Sequence, residues 1–67
     1  MYYIYLFDGR EGDFIFYKLY RPEAFANISL ARGQVEKECE GHPLYTPTSF
    51  VIFHQEGEPA SELEMEV

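Results

Sequence analysis

The sequence predicts an α+β fold: a small antiparallel sheet of three strands, four if the C-terminal segment joins it, with one helix packed on one face, in the order β-β-α-β(-β). Three observations predict it. Two aromatic runs flank a glycine-containing turn, a proline introduces a stretch with helical spacing, and a further apolar run follows a loop with two prolines.

The first run, Tyr2-Tyr3-Ile4-Tyr5-Leu6-Phe7, is β-branched and aromatic, and Asp8-Gly9-Arg10-Glu11-Gly12 after it has turn composition with two glycines free to take positive φ. A second run, Asp13 to Tyr20, completes a hairpin with an expected loop of about four or five residues. Pro22 lacks a strand's N–H and suits the first turn of a helix. Phe25, Ile28, Val35 and Cys39 then fall on one stripe, with Arg32 between them, so a helix over roughly Glu23–Glu40 is expected. Gly33 argues against one uninterrupted helix, because glycine costs about 1 kcal/mol there relative to alanine. Two short helices, or an extended piece at Asn27–Leu30 before a helix from about Gly33, remain open alternatives. Gly41 suits the C′ position of the helix.

After the loop Gly41–Thr48, the segment Ser49–His54 reads as a third strand, and Gln55–Ala60 has turn composition. Residues 1–60 therefore form a single domain. Residues 61–67, Ser-Glu-Leu-Glu-Met-Glu-Val, alternate with period two, placing Leu63, Met65 and Val67 on one side and three glutamates on the other. Such a segment is an edge strand, a strand offered to another subunit, or an acidic C-terminal tail.

A chain of 67 residues holds one hydrophobic core. Domains this small often lean on a metal, disulfides or a partner chain. Cys39 is the only cysteine, which excludes an internal disulfide and a thiolate-based zinc site and leaves oligomerisation as the expected supplement. An apolar fraction of 46% with 18% aromatics excludes a disordered composition. The apolar segment Met1–Phe7 is too short to span a membrane and has no signal-peptide pattern, so a cytoplasmic location is expected. Twelve acidic against five basic residues give a net charge of −7, which argues against direct binding of duplex DNA or RNA through phosphate contacts.

Strand alternation makes each of the three strands apolar on both faces. One helix covers one side of a sheet, so the other needs the tail, a second subunit or a target to keep it dry. Tyrosine suits such a contact, because it buries a large area while keeping a polar tip. Tyr2, Tyr3, Tyr5, Phe7, Tyr17 and Tyr20 are the interface candidates.

No residue pattern points to a catalytic, metal or cofactor site. His42 and His54 have no metal spacing with each other or with Cys39. His42 beside Pro43 reads as a loop or helix-end residue that could meet terminal carbonyls, and Cys39 as a small buried hydrophobe. The acidic residues concentrate at Glu36, Glu38 and Glu40 and again at Glu56, Glu58, Glu62, Glu64 and Glu66. Of these, Glu36, Glu40, Glu56, Glu58, Glu62, Glu64 and Glu66 are the acidic-surface candidates. Ordered carboxylates resemble a nucleic-acid backbone to the basic groove of a nucleic-acid-binding protein. The expected function is a small non-enzymatic interaction module, homodimeric, with a protein partner of that kind that it inhibits. The competing reading is a structural or accessory homodimeric subunit, and third comes a small enzyme with a site shared between subunits.

Overall fold

The structure is a computed structural model that describes residues 1–66. Strands β1 (Tyr2–Glu11) and β2 (Phe14–Leu19) form a hairpin, helix α1 (Ile28–Gly41) follows, and strands β3 (Phe50–His54) and β4 (Glu62–Glu66) complete one four-stranded sheet of order β3-β1-β2-β4. Every neighbouring pair is antiparallel. The expected α+β fold is therefore present with its fourth strand, in the order β-β-α-β-β. Val67, expected on the apolar side of the last strand, lies outside the described residues.

The hairpin is tighter than the composition suggested. Asp8–Glu11 continue β1, and the chain reverses at Gly12-Asp13. Gly12 has φ 59°, as the first position of a type II′ turn requires. The other expected turn glycine, Gly9 (φ 136°), sits at a β-bulge between Phe7 and Gly9 that absorbs one extra residue.

Helix α1 starts later than Pro22 implied. Asn27 is its N-cap, with Oδ1 accepting from the Leu30 N–H at 3.0 Å. The preceding segment is extended, because Tyr2 and Phe25 exchange two backbone hydrogen bonds of 2.9 Å. That pairing beside β1 outweighs the helix-starting preference of Pro22. Gly33 lies inside one uninterrupted helix, and Gly41 is its last residue instead of a left-handed cap. The stop is made by His42, whose backbone N–H donates to the Glu38 carbonyl at 3.0 Å.

The core lies between α1 and the sheet. Ile4 of β1, Phe50 of β3, and Ala31 and Val35 of α1 are buried together, with Tyr2, Leu6, Tyr20, Phe25, Cys39, Tyr45 and Ile52 packed around them. Helix α1 rests on β1 and β3, so it sits over one half of the sheet and leaves the same side of β2 and β4 open. This offset positions the candidate site.

Part of the other side of the sheet is covered from within the chain. Because β3 and β4 are the two edges, the connection Gln55–Ser61 must cross β1 and β2 to join them. It passes over Tyr3 and Tyr5, whose hydroxyls donate to the carbonyls of Gly57 (2.8 Å) and Ala60 (2.6 Å). The Leu19 N–H donates to the Ser61 carbonyl at 3.1 Å, delivering the chain to β4. Tyr5 is fully buried at 0% exposure and Tyr3 is nearly so. The segment expected to be a turn is thus a cover, and it shelters part of the second face without a partner chain.

Candidate functional site

On the helix side of the sheet, beyond the reach of α1, strands β2 and β4 carry an acidic shelf with aromatic rings in it. Antiparallel pairing sets Phe16 opposite Glu64 and Lys18 opposite Glu62, so these side chains leave the same face. Phe14, 45% exposed, lies across from Glu11 in the hairpin, and Glu66 pairs with Phe14 in β4. Glu11, Gly12, Asp13, Phe14, Phe16 and Glu64 line a shallow concavity of about 410 Å³. The strand rise of about 3.4 Å per residue puts Glu62 and Glu64 about 7 Å apart on a backbone fixed by ladder hydrogen bonds. Glu11, Asp13, Glu62 and Glu64 are all exposed. Carboxylates held at regular spacing beside exposed rings can receive a cation by charge and by its contact with an aromatic face.

The acidic candidates do not form one surface. Glu62 and Glu64 belong to this shelf. Glu36 lines a separate groove of about 440 Å³ between α1 and β3, together with Arg32, Val35 and Ile52. Glu40 is exposed near the end of α1, whereas Glu56 and Glu58 ride on the crossover at the opposite face of the sheet. Glu11 and Asp13 went unselected in the sequence, where Glu11 reads as a turn residue and Asp13 as the first residue of the second strand, and only the strand register brings Glu11 opposite Phe14 and Glu64 opposite Phe16.

The tyrosine candidates are split as well. Tyr2 and Tyr20 face the helix, Tyr2 against the His54 ring at 4.8 Å and Tyr20 against Phe50 at 5.0 Å. Tyr3 and Tyr5 are under the crossover, so of the six interface candidates Phe7 and Tyr17 alone belong to the uncovered part of the opposite face. Their rings meet edge to face at 6.2 Å.

Glu38, outside the selected acids, is the centre of a polar cluster. Its carboxylate accepts from Tyr20 Oη (2.8 Å), Gln34 Nε2 (2.8 Å) and Arg21 Nη1 (2.7 Å), and Arg21 also donates to Glu23 at 2.6 Å. The Tyr20 hydrogen bond and then that of Gln34 lower the Glu38 pKa, with Arg21 adding to them and burial opposing. Burial and the Glu38 contact raise the pKa of Tyr20. The cluster pins the end of β2 and the linker to α1, since each polar atom of the carboxylate is already engaged by the protein. His42 Nε2 lies 3.8 Å from Glu38 Oε2 and its ring is near Tyr45, so the imidazole borders this cluster while its backbone makes the cap.

Among the described residues no group of three or more His, Cys, Asp or Glu side chains converges in a way that would hold a metal ion. Among them also, no helix is long and apolar enough to cross a membrane. Compared with protein-family models, curated proteins and solved structures, the chain matches none.

Proposed function

We propose that the protein is a cytoplasmic interaction module that binds a basic surface of another protein through the β2–β4 shelf, and that its partner is a nucleic-acid-binding protein whose groove it occupies. The observation that carries this reading is the placement of Glu11, Asp13, Glu62 and Glu64 around Phe14 and Phe16 on a part of the sheet that α1 does not reach. Proteins that bind single-stranded nucleic acid combine a positive groove with stacking side chains. A shelf that offers ordered negative charge beside flat rings presents both counterparts. The net charge of −7 speeds encounter with such a groove and repels nucleic acid itself.

The test uses an arginine-rich peptide labelled with a fluorophore, titrated with the protein at several salt concentrations. Replacing Glu62 and Glu64 with glutamine is expected to weaken binding about tenfold and to flatten its salt dependence, because screened charge pairs supply the affinity. Competition by a single-stranded oligonucleotide for a partner captured from host extract then separates a nucleic-acid-binding target from other basic proteins. Affinity and salt slope both unchanged in the double variant would remove the shelf from the reading.

A further inference from the structure

The face of the sheet turned away from α1 is only half covered. The crossover lies over Tyr3 and Tyr5, and past it Phe7 and Met65 remain 48% and 42% exposed. The register joins them into one patch: Phe7 is opposite Tyr17, Tyr17 opposite Leu63, and Ile15 opposite Met65. A contiguous exposed patch of this kind marks an interaction surface more often than does a single exposed apolar residue.

Charge selects the occupant. Copies of a chain carrying −7 repel each other over most of their surface. On this face, however, the strand residues in paired register carry no carboxylate, and Arg10, opposite Ile15, is the one charged residue among them. The glutamates on this side, Glu56 and Glu58, sit on the crossover at the other end. The face thus has a raised, acidic half and a low, apolar half that carries Arg10. Turned end to end, two copies fit raised half to low half, and each Arg10 approaches the other's crossover glutamates.

We infer that a second copy of the chain covers this face, related to the first by a two-fold axis that runs along the sheet and across its strands. The arrangement is isologous, as a closed dimer requires, and buries the patch centred on Phe7, Tyr17, Leu63 and Met65. It leaves the β2–β4 shelf, on the opposite face, free in both copies.

The full chain is examined by sedimentation between about 1 and about 100 µM, a range that brackets micromolar association. A dimer is expected. Phe7→Glu and, separately, Met65→Glu each raise its dissociation constant about tenfold or more, as for residues at the centre of an interface, with circular dichroism of the monomer retained. Arg10→Glu weakens the dimer and Arg10→Glu combined with Glu58→Arg restores it, while replacing Glu62 and Glu64 with glutamine does not weaken it. A parent protein that stays monomeric throughout, or a dimer indifferent to both Phe7→Glu and Met65→Glu because it forms along a sheet edge, would overturn the inference without touching the shelf.

Discussion

Tyr5→Phe probes the device that closes one face of this small sheet. The substitution removes one oxygen from a fully buried side chain and leaves the ring, so no cavity forms. Two contacts go: the hydroxyl's donation to the Ala60 carbonyl at 2.6 Å, and its acceptance from Gln55 Nε2 at the longer distance of 3.4 Å. Ala60 is exposed, so water can reach its carbonyl in the variant, which puts the cost at about 1 kcal/mol, the lower part of the range for a lost partner. For a domain of this size that is about 4–8 °C in Tm. The loss should be concentrated in the crossover, so amide exchange should quicken at Leu19, whose N–H is held by the Ser61 carbonyl. Tyr3→Phe releases the Gly57 carbonyl in the same way, and the double variant should show a coupling of about 0.5 kcal/mol or more, since both phenols hold one short segment. The assays are thermal melting by circular dichroism and hydrogen exchange by NMR. Melting within about 1 °C of the parent, which is under about 0.3 kcal/mol on the same scale, with unchanged exchange at Leu19, would refute the claim that the phenols fasten the cover.

Gly33→Ala should stabilise the protein by about 0.5–1 kcal/mol, read by urea denaturation, because Gly33 is inside α1, has ordinary helical φ and would place its new methyl group in open space. Acid unfolding should depend on Glu38: its pKa is lowered in the fold, so its contribution is complete above the ordinary value of 4.5 and is lost as pH falls through the lower, folded value. Glu38→Gln should therefore be less stable at neutral pH and show a flatter acid limb in melting against pH. Burial raises Tyr5 above 10.0, so the opposite limb runs the other way, with stability complete below that value and lost as pH rises through the folded one, and Tyr5→Phe should remove part of that decline.

How much of this was legible in the residues depends on the range of the interaction that fixes it. The two-sided strands, most of the helical stripe and the alternation of Glu62 to Glu66 follow from the periods of strand and helix, which are local, so the elements occur in the expected order, although β1 runs on to Glu11 and α1 begins only at Ile28. Where a local signal competes with a distant contact, the distant contact prevails. Pro22 and Glu23 suit a helix start, yet the chain stays extended there because Phe25 pairs with Tyr2, and the helix waits for the Asn27 cap. Gly9 reads as a turn residue, but the ladder to β2 continues past it through a bulge. The strand order is the deepest case. Putting β3 and β4 on opposite edges forces the connection between them across the sheet, and that one fact buries Tyr3 and Tyr5, separates Glu56 and Glu58 from Glu62 and Glu64, and leaves Phe7 and Met65 uncovered. Alternation within a strand says which side chains share a face; only the pairing of strands far apart in the chain says what lies over that face, because such contacts are chosen by burial summed over the whole sheet.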